Sequence, residues 1–383
     1  MNNRSFWNYS SLCEAVDICD SLRKPVNSKE RASRITGKTQ SELYPYYGAT
    51  GQVGWIDDYI TDGEFVLLGE DGAPFLDAFS EKAYIISGKT WVNNHAHVLK
   101  SKTSNKFLCY YLNSFNFKGY VSGTTRLKLT QAEMKRIPVP VPPLPEQERI
   151  VARIEELFSQ LDAGVETLKK TKAQLAVYRQ AVLKEAFDQV SDRVLLGSIS
   201  DSRLGKMLDK EKNVGKPYRY LRNINVRWFA FDLTDLLEMR IDDDEHDKYS
   251  IQKDDLVICE GGEPGRCAVW NKNETIFYQK ALHRVRFKDG SNPYFYMYYL
   301  WYAAQTDQLK AFFTGTGIKH LTGQSLVKLP VPTAKRVEQD RIVANIESKL
   351  SVCDSIEQTV DAALQQAEAM RQSILKKAFE GEL

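Results

Sequence analysis

Three groups of residues in this 383-residue chain are of types and spacings that could do chemistry. His95-Ala96-His97 sets two imidazoles two positions apart, which on a strand puts both on one face and would begin a metal site. No third ligand stands nearby in the sequence, so a hydrogen-bonded structural pair is the better reading. Asp242-Asp243-Asp244-Glu245 could gather Mg²⁺, but reads as an acidic surface loop. Gly261-Gly262-Glu263-Pro264-Gly265 could approach a phosphate, yet it lacks the lysine of a phosphate loop and reads as a turn. There is no G-x-x-x-x-G-K-[ST], no H-E-x-x-H and no Asn/Asp-Pro-Pro-aromatic tetrapeptide of the methyltransferase type. No nucleophile stands with a partnered base. The chain therefore reads as a binding protein, with no catalytic residue, no metal and no cofactor expected.

What remains are compact polar words among glycines and aromatics. In the first half they are Tyr46-Tyr47-Gly48-Ala49-Thr50-Gly51, Asn93-Asn94-His95 and Gly123-Thr124-Thr125-Arg126. In the second half they are Tyr218-Arg219-Tyr220-Leu221-Arg222-Asn223, Gln279-Lys280 and Gly315-Thr316-Gly317-Ile318-Lys319-His320. Arg suits guanine, and Asn or Gln suits adenine, in the major groove; Lys, Thr and backbone N–H groups suit phosphates. The candidate DNA-binding residues are Tyr46, Tyr47, Thr50, Asn93, Asn94, His95, Thr124, Thr125 and Arg126, then Arg219, Tyr220, Arg222, Asn223, Gln279, Lys280, Thr316, Lys319 and His320. Singly, each reads as a turn residue. Together, the groups point to double-stranded DNA.

The elements that must hold these words come in two copies. Residues 137–189 align without a gap on residues 329–381 at a constant offset of 192, with 21 of 53 positions identical. Shared words include Pro138-Val139-Pro140 with Pro330-Val331-Pro332, Glu146-Gln147 with Glu338-Gln339, and Arg149-Ile150-Val151-Ala152 with Arg341-Ile342-Val343-Ala344. Lys184, Ala186 and Phe187 match Lys376, Ala378 and Phe379. A repeat this long is a duplicated module, not a solenoid unit. Within it Ile154, Leu161, Leu168, Leu175 and Val182 recur every seventh residue, as do Ile346, Cys353, Val360, Ala367 and Ile374. Leu157, Phe158, Val165 and Tyr178, and in the second copy Val343, Leu350, Leu364 and Met370, fill the intervening places. This spacing predicts two long coiled-coil helices whose apolar seams pack together.

The expected division is a first head over 1–144, a helix over 145–190, a second head over 191–336 and a helix over 337–383. Strand-like runs such as Glu64–Leu68 and Asp255–Cys259 sit between Gly and Asp turns. Aromatic stretches at 105–112 and 293–300 read as core helices. The heads resemble each other faintly: Glu70-Asp71-Gly72 parallels Glu260-Gly261-Gly262, and Ser122-Gly123-Thr124 parallels Thr314-Gly315-Thr316, followed in both by Leu-Thr.

Net charge is only +2, but residues 1–144 carry 17 basic and 14 acidic side chains and residues 191–335 carry 22 and 19, so each head is +3 and the helices are net acidic. Six scattered cysteines without a C-x-x-C pair fit reduced thiols in a cytoplasm. No apolar run is long enough to span a membrane, and Met1–Trp7 carries no apolar stretch behind a basic start, so no membrane and no signal peptide are expected.

The proline-led words followed by Glu146-Gln147-Glu148-Arg149-Ile150-Val151, repeated at Glu338-Gln339-Asp340-Arg341-Ile342-Val343, resemble the conserved regions of the DNA specificity subunit of type I restriction–modification enzymes. So do Tyr46–Gly51, Asn93–His97 and Thr314–Leu321, and the resemblance covers essentially the whole chain. One departure is Thr333-Ala334-Lys335-Arg336-Val337 in place of Val141-Pro142-Pro143-Leu144-Pro145. The resemblance implies an α+β chain with internal pseudo-two-fold symmetry, in which two α/β target-recognition domains are separated by a long antiparallel two-helix coiled coil. It implies a bipartite DNA target whose unspecified gap the helices set. It also implies two methyltransferase subunits that methylate adenine N6 from S-adenosylmethionine, and restriction/translocase subunits that use ATP. Neither of those cofactors would bind this chain. The rival readings are a nuclease or methyltransferase in its own right, and an assembly scaffold with no nucleic-acid role.

Overall fold

The computed structural model describes residues 7–209, 211 and 213–383. The N-terminal residues Met1–Phe6, read above for a signal peptide, lie outside the described residues. The chain divides into two compact units, one of Met1–Lys169 with Val360–Leu383 and one of Lys170–Thr359.

In the first unit the head holds two four-stranded sheets. One runs in the order Val16–Ile18, Ala96–Ser101, Phe65–Gly69, Ala83–Ile86, all antiparallel. The other runs Gly51–Ile56, Tyr44–Gly48, Lys89–Val92, Thr61–Asp62, with its central pair parallel. The strand Phe65–Gly69 is apolar throughout because both its faces are covered. Val66 and Leu68 join one core cluster and Phe65 and Leu67 another. A strand buried on both sides reads as a continuous hydrophobic run, not as an alternation.

The head of the second unit has the same topology. Its sheets run Ser200–Leu204, Leu282–Phe287, Leu256–Cys259, Cys267–Val269 and Leu237–Ile241, Lys216–Leu221, Ile276–Tyr278, Ser250–Ile251, again with one central parallel pair. Leu256 and Ile258 face one cluster, and Val257 and Cys259 the other. The two strand-like runs read from the sequence are thus interior strands in both heads. A short strand pair closes each head, Tyr9–Ser11 with Pro138–Pro140 and Arg193–Leu195 with Pro330–Pro332. Two-stranded ribbons consist of edges only, which is where proline is tolerated.

The helices are Leu144–Asp188 and Arg336–Glu380, 45 residues each. Within the first unit Arg149 donates to the Leu383 carbonyl at 3.0 Å and Arg371 pairs with Asp162. Within the second, Arg179 reaches Asp354 at 2.6 Å and Glu357 at 2.9 Å, and Lys349 reaches Glu185 at 3.0 Å. Rising numbers on one helix meet falling numbers on the other, so the segments pair antiparallel in each unit. Exposed ion pairs of this kind contribute little. The seam does more: Ile154, Leu175, Val182, Ile346, Cys353, Val360 and Ala367 are buried, and Leu161, Leu168 and Ile374 partly so. Tyr178 and Met370 do not belong to it, being 48% and 47% exposed. A two-helix contact covers one narrow stripe, and a helix of 3.6 residues per turn carries positions off it.

The repeated words are explained by what each end of a helix touches. Gln147 is buried; it accepts from Thr103 Oγ1 at 2.9 Å and donates to the Pro142 carbonyl at 2.9 Å. Gln339 is buried likewise, accepting from the Asn292 N–H at 2.7 Å and donating to the Ala334 carbonyl at 2.9 Å. Each glutamine fastens the start of a helix to the aromatic-helix side of its own head. At the other end, Phe379 packs edge-on against Phe107 and Tyr111, both at 5.3 Å. Phe187 packs against Phe295 at 5.4 Å and Tyr299 at 5.5 Å. The rings it meets belong to the aromatic helices Asn105–Ser114 and Pro293–Gln305, which are core as read from the sequence. Each head core is therefore completed by the start of one helix and the end of the other.

Among the described residues no helix is long and apolar enough to cross a membrane, and all six cysteines are free thiols.

A candidate nucleic-acid interface in each head

In the first head, three words far apart in sequence line one open cleft of about 660 Å³. Thr50 comes from the turn after Tyr44–Gly48, Asn93 and His95 from the loop after Lys89–Val92, and Thr125 and Arg126 from a hairpin. The parallel pair Tyr44–Gly48 and Lys89–Val92 brings the first two together, since both strands run toward that edge. The hairpin is fixed there by Leu129 N–H, which donates to the Glu70 carbonyl at 2.7 Å, and by Gly72 N–H, which donates to the Leu127 carbonyl at 2.9 Å. At its tip Arg126 Nε lies 2.7 Å from Asp71 Oδ1, and His95 Nδ1 lies 3.5 Å from the other oxygen of Asp71. Thr50, Asn94, Thr124, Thr125 and Arg126 are exposed.

His97 does not join His95. It is buried, with Nδ1 2.8 Å from Asp20 and Nε2 3.2 Å from the Leu129 carbonyl. Burial pushes the Asp20 carboxyl up, but the bond and charge of His97, with the Val98 N–H and the Gln131 amide, outweigh it and hold the carboxyl below its ordinary range. The pair is hydrogen-bonded structure, and among the described residues no group of three or more His, Cys, Asp or Glu is placed to hold a metal ion.

Two candidates are corrected in the same way. Tyr46 is 2% exposed, its hydroxyl bonded to the backbone of Val26 and its ring covered by Arg31 at 4.7 Å. Tyr220 is 3% exposed within the cluster of Met239, Ile241 and Phe277. The two occupy one position in the shared fold: Asn93 N–H donates to the Tyr47 carbonyl at 3.0 Å, and Gln279 N–H to the Leu221 carbonyl at 3.1 Å. On a strand the residue before each of those acceptors points to the opposite face, which here is covered. Tyr47 is half-buried against Tyr84 at 5.8 Å. Asn93 is buried too, its side-chain oxygen accepting from His95 N–H at 2.8 Å, so it shapes the loop that presents Asn94 and His95.

The second head has different groups on the same frame. Asn223 Nδ2 donates to the Gly261 carbonyl at 2.5 Å, and Arg266 Nη2 donates to the Asn223 carbonyl at 3.1 Å. Arg222 is held by Asp235 at 2.6 Å. Gln279 is half-buried and Lys280 exposed. Lys319 Nζ donates to the Gly315 carbonyl at 2.8 Å, and His320 lies beside Gly261, where an added Cβ would meet its Nδ1 at 3.0 Å. Arg219 stands apart. It lines a cavity of about 560 Å³ with Tyr218, His246, Trp270 and Phe277, before the strand ends that carry Arg222 and Gln279. The acidic run 242–245 is a short turn whose Glu245 pairs with Lys206, and Gly262 and Gly265 adopt positive φ in a turn, as read.

Sequence reading missed Asp71, Glu70, Arg31 and Arg266. The parallel between Glu70-Asp71-Gly72 and Glu260-Gly261-Gly262 was the available signal for the first two: both glutamate carbonyls receive the leucine N–H that follows the hairpin.

His283 occupies the place of His97, with Nε2 2.9 Å from the Leu321 carbonyl. Burial pushes its pKa down. A depressed histidine stabilises the fold fully above the ordinary value near 6.5, and that stability is lost as pH falls through the lower folded value. Urea unfolding between pH 7.5 and 5 should therefore show the parent losing more stability than His283→Gln over that interval. Equal losses in the two proteins would contradict a neutral, buried His283.

The family model described as the type I restriction modification DNA specificity domain matches residues 13–176 and again 196–366. A candidate type I restriction enzyme specificity subunit of Haemophilus influenzae, S.HindORF215P, is 28% identical over 395 residues, covering 96% of both chains. The EcoKI specificity subunit of Escherichia coli K12 is 25% identical over 302 residues, 72% of this chain and 65% of that one. The HsdS subunit from Thermoanaerobacter tengcongensis shares the fold at 17% identity with a TM-score of 0.60, covering 100% of this chain and 99% of that one. A chain solved to explain complex assembly and conformational transition of the type I R-M system does so with a TM-score of 0.72 at 16% identity, over 98% of each chain. With the double match covering most of its length, and two heads of one topology joined to the repeated helices, this chain belongs to the type I restriction–modification DNA specificity family.

Proposed function

We propose that the two heads read the two halves of a bipartite duplex target, each through the edge where its polar words converge. As a member of the specificity family the chain is the DNA-recognition subunit of a type I restriction–modification complex and is not itself catalytic. Its partners are DNA and methyltransferase and restriction subunits. In the finer reading, residues 1–144 and 191–336 are the readers. Residues 145–190 and 337–383 are the helices that seat two methyltransferase subunits for adenine N6 methylation, in the cytoplasm. The bases are met by Thr50, Asn94 and His95 in the first head, and by Arg222, Asn223, Gln279 and Lys280 in the second, with the hairpins at 122–128 and 314–320 beside them.

The observation that carries this reading is one framework with different tips. Both heads put a strand-end turn, a loop and a hairpin at the same edge, but Asp71, Arg126 and His95 stand at the edge of one, and Asn223, Arg266 and His320 at that of the other. A nuclease or methyltransferase would need a reacting constellation in place of these groups. A pure scaffold would have no reason to diversify them.

Mapping adenine methylation in cells with and without the gene tests the proposal. One two-part motif should vanish with the gene, and the purified chain given only S-adenosylmethionine and DNA should neither methylate nor cut. An unchanged methylation map, or activity of the chain alone, would refute it.

A further inference from the structure

The hairpins at 122–128 and 314–320 are the same object twice. They stand at the offset of 192 that relates the helices, although most of each head has diverged beyond that register. Ser122 and Lys128 exchange backbone bonds at 3.0 and 2.8 Å; Thr314 and His320 exchange them at 2.8 and 2.9 Å. Gly123 has φ +99° and Gly315 φ +97°, and a Cβ there would lie 2.4 Å from the Arg126 carbonyl oxygen or 2.3 Å from that of Ile318. Only glycine fits that turn. The segment after each hairpin is bolted down alike, through Leu129 to Glu70 and Leu321 to Glu260, both at 2.7 Å, and through the buried His97 and His283.

The frame explains the glycines and leucines but not the residue after each glycine. Thr124 and Thr316 are exposed, and among the described residues neither hydroxyl has a hydrogen-bond partner. The turn does not require threonine, yet both heads keep it, whereas two positions on they carry Arg126 and Ile318, which have no chemistry in common. Two readers of different half-targets share only the part of DNA that does not vary, its phosphodiester backbone. Both hairpins carry cations, Arg126 and Lys128 in one and Lys319 in the other. Resting on the reading above, we propose that these hairpins are a duplicated, sequence-independent grip on the DNA backbone. Thr124 and Thr316 each donate a hydroxyl hydrogen bond to a phosphate oxygen, and discrimination is left to the residues around them.

The test uses the full chain, a duplex bearing the two-part motif from the methylation map, and an equally long duplex with both half-sites scrambled. Binding is followed by fluorescence anisotropy for the parent, Thr124→Ala, Thr316→Ala, the double variant and the Thr→Ser pair. Each alanine should weaken both duplexes by one common factor of about tenfold, as for a hydrogen bond to a charged group. The double variant should multiply the losses, serine should restore binding, and the ratio of target to scrambled affinity should not move. Because both residues are exposed, melting temperatures should match the parent. Alanine variants that bind both duplexes like the parent would overturn the proposal. So would a loss confined to the target duplex or a changed methylation motif, since either would make the hairpin a reader of bases. A parent that did not distinguish the two duplexes would instead sink the recognition role itself.

Discussion

Phe187→Ala should destabilise the second unit by about 3–5 kcal/mol, the cost of removing a fully enclosed ring from a packed core. The ring is 1% exposed and fills the space between Phe295, Tyr299 and Tyr302, three residues of a single helix. No small movement can close that space, because the helix is itself held by the sheet behind it through Cys267 and Val269 in the same cluster. The matching Phe379→Ala should cost less, about 2–3 kcal/mol, because Phe379 is only partly buried against Phe107 and Tyr111 and has less to lose. Hydrogen exchange locates the effect. Phe187→Ala should unprotect the amides of Pro293–Gln305 and leave those of Asn105–Ser114 alone, and Phe379→Ala should do the reverse. If both variants loosened the same head, or if either melted like the parent, the helix ends would not be core residues of these heads.

Exchange of the second head should change one half of the recognised motif completely and leave the other half untouched. The fold says where to cut. Boundaries at 191 and 329 would take the strand Arg193–Leu195 from the donor but leave its partner Pro330–Pro332 in the host. Cutting after Asp192 and before Thr333 moves both strands together and keeps their register, Arg193 with Pro332 and Leu195 with Pro330. The donor must also bring an aromatic helix able to receive Phe187, and an asparagine or equivalent N–H for Gln339. A chimera built so should methylate a hybrid two-part motif, read by methylation mapping in cells. Change in both halves, or none, would end the model of two independent readers.

Much of this molecule was legible in the chain itself. The repeat established two copies of one module, because a 192-residue offset kept through 53 positions has no other economical origin. The seven-residue spacing from Ile154 to Val182 and from Ile346 to Ile374 established the helices and their seam, since a buried stripe must recur at the helical period whatever it packs against. The apolar runs at Phe65–Gly69 and Leu256–Cys259 announced interior strands for the same local reason.

Only the tertiary structure decided which polar words meet, and which side of a strand is open. Tyr46 and Tyr47 are adjacent in sequence and alike in type, yet Tyr46 is fully enclosed while Tyr47 packs half-buried against Tyr84. The second layer, which brings Val26 and Arg31 over Tyr46, lies elsewhere in the chain. Arg219 and Arg222 sit three residues apart, but one lines a side cavity and the other reaches the loop edge through Asp235. Asp71 could be recognised as the partner of Arg126 only once the hairpin had been folded against Glu70. The repeated Phe187 and Phe379 showed that a ring mattered, but not that each would complete a core together with residues from the start of the other helix. Local periodicity is written within a few turns of chain. Contacts that join residues far apart are chosen by packing of the whole unit, and no short stretch of sequence carries them.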